Sequence, residues 1–211
     1  MNKLLLLIVL ILGLSKVQSQ VSLDWAADFT VTDLEGNTIN LFSILEGGQW
    51  VVINFGAYWC GPCAEFASDY GQIYEDFGCN TSDVFFIEMD SSGTNPQCEN
   101  FINTYGGGYN VPYICNASDV YETYEVPYYP TTIIIDPNGF IRNKDIWPIS
   151  YNILVDHLEE YGLSLNNCNQ NSSINESDIN LNGIYIDMFG IQYTTPPKGL
   201  SIMNRKKYYR L

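Results

Sequence analysis

Positive charge is scarce in this sequence. Nine lysines and arginines stand against 24 aspartates and glutamates, a formal net charge of −15. Between Gln20 and Cys168 only Arg142 and Lys144 are basic, against 21 acidic residues. Nucleic-acid binding needs a basic footprint to displace phosphate counterions, so that class is set aside. Histidine is almost missing as well. His157 is the only one, and no second Cys-x-x-Cys accompanies Cys60 and Cys63, so a zinc site lacks two of its ligands and no metal or other cofactor is expected. Long apolar runs are few. The unbroken run over residues 4–12 is too short to cross a bilayer comfortably. With Lys3 before it and Val17-Gln18-Ser19 ahead of Gln20, it reads as a secretory signal over residues 1–19, leaving no stable membrane anchor once cleaved. No cysteine stands close behind that run to carry a lipid. The mature chain is therefore expected outside the cytoplasm.

Cysteine, by contrast, is plentiful after the signal. All six lie there, as suits a compartment in which disulfides persist. Two of them stand one helical turn apart in Trp59-Cys60-Gly61-Pro62-Cys63. Residues 50–55 before this stretch are a nearly continuous apolar run of strand length. After it, Phe66, Ala67, Tyr70, Ile73, Tyr74 and Phe77 recur at helical spacing. A helix that opens at or just after Cys60 sets that sulfur beside unpaired N–H groups and the positive end of the helix dipole, both of which favour the thiolate. Thiols so placed ionise at about 3.5–7.5 instead of about 8.5. Cys60 is therefore the expected nucleophile and Cys63, a turn further in, the resolving thiol. With no lysine or arginine nearby in sequence, the thiolate must be stabilised mainly by backbone dipoles and hydrogen bonds. Cys79, Cys98, Cys115 and Cys168 remain, an even set that permits two structural bridges in any of three connectivities, or free buried thiols.

The rest of the chain reads as alternating short strands and helices. Residues 23–40 form short strands about Glu35-Gly36-Asn37, and residues 41–45 a helical turn. Residues 84–89 are a second buried strand, and residues 96–105 a helix with Pro96 in its first turn and Gly106 past its end. Gly106-Gly107-Gly108 has no following Lys-Ser/Thr and is a connection, not a phosphate loop. Residues 111–115 make a short strand, residues 121–124 a helical segment, and residues 132–135 and 140–143 a hairpin around Pro137-Asn138-Gly139. A last helix spans residues 149–161, with His157 beside its apolar stripe as a structural or surface residue. Residues 20–168 thus read as one domain, residues 169–178 as a polar Asn/Ser linker, and residues 179–211 as a short β-rich tail too small to hold a core alone.

Trp-Cys-Gly-Pro-Cys after an apolar strand resembles the thioredoxin superfamily, and the order of the surrounding segments resembles its secreted or membrane-tethered TlpA/ResA-like branch, from about Trp25 to Tyr161. Residues 28–37 are similar to the N-terminal hairpin of that branch, with Ala27 where proline is usual. Tyr129-Pro130-Thr131-Thr132, followed by Ile133-Ile134-Ile135-Asp136-Pro137-Asn138-Gly139, resembles its cis-proline loop, antiparallel strand and turn. The resemblance implies an α/β, three-layer thioredoxin-like fold with a central mixed sheet flanked by helices, and a helix and strand inserted over residues 96–115. It implies that Pro130 is a cis-proline facing Cys60, with the backbone of Tyr129 free to pair with an extended substrate segment. It also implies the pairings Cys79–Cys168 at the pole away from the active site and Cys98–Cys115 nearer to it. Asn54 falls where thioredoxin carries a buried aspartate beneath the thiols, and an amide cannot accept the proton of Cys63, so buried water or Glu65 is left for that task. Glu65 stands one residue short of the branch's usual glutamate.

The implied activity is thiol–disulfide exchange on exported proteins, with a redox partner that the sequence does not name. The Gly61-Pro62 pair resembles the reducing members. Two other readings compete. The opening segment also resembles peroxiredoxins, but those need a Thr or Ser three residues before the reactive cysteine, where this chain has Ala57. A secreted binding module with an inert Cys60–Cys63 bridge is the other. The end of the tail, Lys198-Gly199-Leu200 to Arg210, is similar to sorting domains read by the type IX secretion machinery of Bacteroidota, with Arg205 where glycine is common.

Overall fold

A computed structural model describes residues 20–168 in full and, in the tail, the backbone of four short strands. The signal expected over residues 1–19 and the linker over residues 169–178 lie outside the described residues. The chain divides into two compact units, Met1–Cys168 and Asn169–Leu211.

In the first unit, strands β1 (Thr30–Thr32) and β2 (Thr38–Asn40) form an antiparallel hairpin. Asp33 closes its turn, accepting from the backbone N–H groups of Glu35 and Asn37. Helix α1 (Leu41–Glu46) follows directly, capped by Asn40, whose side chain accepts from Ser43 N–H. Strand β3 (Trp50–Gly56) leads into helix α2 (Gly61–Asp76), and strand β4 (Val84–Asp90) into helix α3 (Asn95–Tyr105). Strand β5 (Tyr113–Ile114), helix α4 (Ser118–Tyr124), strands β6 (Thr131–Ile135) and β7 (Ile141–Asn143), and helix α5 (Tyr151–Glu160) complete the unit.

The sheet runs in the order β5-β4-β3-β6-β7, with β3, β4 and β5 parallel to one another and β6 and β7 antiparallel to their neighbours. Alternation along β3 explains the layers. Val51, Ile53 and Phe55 join one core with Leu41, Tyr121, Tyr124 and the hairpin. Val52 faces the opposite core, where Phe66, Tyr70, Ile73 and Phe77 of the α2 segment meet Leu154, Val155 and Leu158 of α5. Each such side chain withdrawn from water contributes roughly 1.5–3 kcal/mol. A third, smaller cluster at one end of the sheet gathers Ala57, Cys60, Cys63, Ala67, Cys98, Phe101 and Tyr113. The architecture is the mixed sheet flanked by helices of the thioredoxin-like fold.

Element ends differ from the sequence reading by a few residues. The last helix begins at Tyr151, not residue 149, because Ser150 before it is in extended backbone. The strand expected over residues 111–115 keeps only Tyr113–Ile114 in the ladder. In the second unit, strands β8 (Tyr185–Asp187), β9 (Gln192–Tyr193), β10 (Gly199–Met203) and β11 (Lys206–Arg210) form an antiparallel sheet in the order β11-β10-β8-β9. Strand β9 is one that the sequence reading did not contain.

Candidate active site

The two sulfurs of the Cys-x-x-Cys stretch are joined, with an S–S distance of 2.05 Å. Cys60 is the N-cap residue of α2, in an extended conformation, and its Sγ accepts from Cys63 N–H at 3.2 Å. Pro62, just inside the helix, gives up no needed donor, since N–H groups of the first turn have no partner within the helix. The sulfur of Cys60 thus lies at the positive end of a helix of 16 residues. Trp59 beside it is 62% exposed, whereas Cys60 and Cys63 are 6% and 1% exposed. Gly61 and Pro62 are exposed at the helix tip.

Two buried side chains hold this mouth in place, and the sequence reading singled out neither. Asp90, at the end of β4, accepts from the N–H of Tyr58 and from those of Ser92 and Gly93, so it ties the segment before Cys60 to the neighbouring strand. Tyr121 of α4 accepts from Gly56 N–H at 2.7 Å, and its hydroxyl lies within 2.7 Å of the Gly56 and Met89 carbonyls, one of which it donates to. Gly56 also lies close against the inner cysteine. A Cβ there would come within 3.3 Å of Cys63 Sγ.

The Tyr129–Pro130 bond is cis. Tyr129 packs on the cluster that holds both cysteines, and its ring meets that of Trp59 edge-on at 5.8 Å between centroids. Cys79 is bonded to Cys168 beyond the far end of α2, where their N–H groups reach the Tyr74 and Glu75 carbonyls. Cys98 is bonded to Cys115 in the active-site cluster.

Residues 23–144 match the AhpC/TSA family. The chain belongs to that family. Within it, the chain is 32% identical over 136 residues to the thiol-disulfide oxidoreductase ResA of Bacillus thuringiensis subsp. konkukian, covering 64% of this chain and 73% of that one. It is 26% identical over 118 residues to the thioredoxin-like protein YneN of Bacillus subtilis, covering 56% of this chain and 67% of that one. Among solved structures it is similar to the thioredoxin domain of a thiol-disulfide oxidoreductase from Bacteroides vulgatus, with a TM-score of 0.54 at 20% identity over 70% of this chain and 99% of the other. A thiol:disulfide interchange protein from Chlorobium tepidum gives 0.56 at 19% identity over 71% and 100%. This AhpC/TSA-family chain is a thioredoxin-like thiol–disulfide oxidoreductase.

Beneath the pair, the AhpC/TSA-family chain carries a buried polar network. Asn54 lies one strand step below Gly56 on the same face of β3, fully buried, and is in register with Glu88 of β4. The Asn54 amide donates to Glu88 Oε1 at 3.4 Å, and its carbonyl oxygen accepts from the Thr132 hydroxyl at 3.0 Å. Burial pushes the Glu88 carboxyl up to about 8, the Asn54 hydrogen bond opposing the rise and the Asp90 charge adding to it. Burial and the Glu88 charge likewise raise the Tyr70 and Tyr113 phenols. Glu88 borders a small cavity of about 10 Å³ beside Ala67, one turn below Cys63, which is room for about one water.

Glu65 does not fill the role the sequence reading offered it. A helix turns by about 200° over two residues, so Glu65 leaves the face that Cys63 presents to the sheet and is exposed, while Phe66 takes the inward position. The carboxyl beneath the thiols comes instead from the adjacent strand. Its signal was one glutamate inside the apolar run Val84-Phe85-Phe86-Ile87-Glu88-Met89. Among the described residues no cluster of metal-ligating side chains occurs, and no helix is long and apolar enough to cross a membrane.

Proposed function

We propose that the chain exchanges disulfides with exported proteins through the Cys60/Cys63 couple. The single observation that carries this is Cys60 Sγ at the N-cap of α2, bonded to Cys63 and flanked by the Tyr129–Pro130 bend. In the reduced enzyme the Cys60 thiolate attacks one sulfur of a substrate disulfide. A Cys60–substrate disulfide forms and the other substrate sulfur leaves as a thiolate. Cys63 then attacks Cys60, which re-forms the Cys60–Cys63 bond and releases the second substrate thiolate, so two electrons pass from enzyme to substrate. Run backwards, the same steps install a disulfide. An external dithiol must re-reduce the enzyme for the forward cycle to repeat.

The thiol proton of Cys63 needs an acceptor before the second attack. Glu88 is the candidate, opposite Asn54 on the adjacent strand and reached through a water, with an ionisation near 8 that matches a thiol's. Export is supported by the apolar run behind Lys3 and by six cysteines placed after it. The tail is read as a sorting signal for type IX secretion machinery, which would leave the protein in the periplasm, on the cell surface or outside the cell. Deleting residues 179–211 and following the protein by fractionation tests that part.

The test of activity is insulin-disulfide reduction with dithiothreitol. Catalysed precipitation that is lost in Cys60→Ser is expected. No acceleration over reductant alone supports a binding module with an inert bridge, and peroxide consumption without insulin reduction supports a peroxidase despite Ala57.

A further inference from the structure

Beside the disulfide lies a cleft of about 140 Å³, walled by Pro62, Glu65, Phe66 and Asp69 of α2 on one side and by the cis Trp147–Pro148 bend on the other. Its walls are mostly apolar, and Trp147 is 60% exposed. Glu65 and Asp69 are four residues apart and therefore neighbours on one helix face. Among the described residues of the first unit no lysine or arginine pairs with them. Arg142 and Lys144 are the only lysine or arginine between Gln20 and Cys168. Arg142 pairs with Asp136 at 2.5 Å and Lys144 with Asp24 at 2.5 Å. One oxygen of Asp69 accepts from Tyr151 N–H, the first residue of α5.

We propose that this cleft receives a lysine or arginine side chain of the substrate polypeptide. An apolar stem fits against Pro62, Phe66 and Pro148, and a cationic head meets the Glu65 and Asp69 carboxylates and the Trp147 face. This deepens the proposed exchange reaction and rests on it for the placement of the substrate chain. Along α2, Glu65 stands about 7.5 Å from Cys60 at 1.5 Å per residue. An extended chain covers that span in two to three residues at about 3.3 Å each. The selected basic residue therefore lies two or three positions from the substrate cysteine. The site supplies specificity, and the chemistry stays with the cysteines.

Peptides holding one disulfide test this, with Arg or Glu two, three or six positions from the reactive cysteine, on either side. The wild type is expected to prefer Arg over Glu in kcat/KM by about tenfold at two or three positions, most of it in KM. The preference should fall to within about twofold in Glu65→Gln and in 1 M salt. An equal preference at six positions, or one that survives Glu65→Gln, overturns the proposal, because it would come from the acidic body as a whole. The same peptides, reduced and S-methylated, are titrated onto the oxidised protein by tryptophan fluorescence with Trp147→Phe as control. Selective binding without turnover would sink the exchange reaction and keep the cleft. Turnover without selectivity would do the reverse.

Discussion

Replacing Glu88 with glutamine keeps the size of the side chain and its ability to accept from Asn54, and removes its titration. In the folded protein burial holds this carboxyl's ionisation at about 8, against 4.5 for the free side chain. Below pH 4.5 both folded and unfolded chains carry the proton and nothing is lost. Between 4.5 and 8 only the folded chain carries it, so stability falls as pH rises, by about 1.4 kcal/mol per pH unit. At pH 7 the deficit is about 3 kcal/mol, and above pH 8 it levels off near 5 kcal/mol. Other groups titrate in the same window, but they are common to both proteins, so the difference isolates Glu88. Urea unfolding of oxidised wild type and Glu88→Gln from pH 5 to 8.5, with all three disulfides intact, measures it. The variant should gain on the wild type by about 3 kcal/mol between pH 5 and pH 8. A difference that stays constant within about 0.5 kcal/mol over that range would mean that Glu88 ionises normally, and its role as proton acceptor would lose its basis.

Three further outcomes follow from the same contacts. Tyr121→Phe leaves Gly56 N–H and a strand-end carbonyl unpaired in the core, and should cost about 1–3 kcal/mol in urea unfolding, with activity per folded molecule lower because Gly56 lies against Cys63. Removing Cys79–Cys168, whose partners are 89 residues apart, should cost about 4.5 kcal/mol, and removing Cys98–Cys115, 17 apart, about 3 kcal/mol; the reverse order would show that loop entropy is not what these bridges contribute. Gly93→Ala should hinder closure of Cys98–Cys115, since a Cβ there comes within 2.7 Å of Cys98 Sγ, and free-thiol titration under denaturing conditions would read the loss.

The fold was legible because its signals are local. The apolar runs at β3 and β4, the helical spacing after Cys63 and the Pro137-Asn138-Gly139 turn each report one element, and the resemblance of their order to the thioredoxin superfamily implied the mixed sheet. The cysteine pair was visible for the same reason, whereas the Tyr129–Pro130 bend came from the resemblance of its surroundings to the cis-proline loop of the thioredoxin superfamily. What the sequence hid depends on register across strands. That Glu88 stands opposite Asn54, or that Asp90 reaches Tyr58, follows from how β3 and β4 align, and no stretch of either strand alone states it. Glu65 misled because proximity in sequence to Cys63 says little about which face of a helix a side chain occupies. Trp147–Pro148 was invisible as part of a cleft, since 81 residues separate Trp147 from Phe66 on the opposite wall.

Trapping tests the central claim most directly. Cys63→Ser leaves Cys60 able to attack and removes the thiol that releases it, so a reduced variant mixed with a disulfide peptide should accumulate one covalent adduct at Cys60, seen by intact mass and located by digestion. The adduct should form faster at pH 7 than one on an ordinary free thiol, because the helix N-terminus favours the thiolate. An adduct that forms only above pH 8, or none on Cys60, would contradict the account.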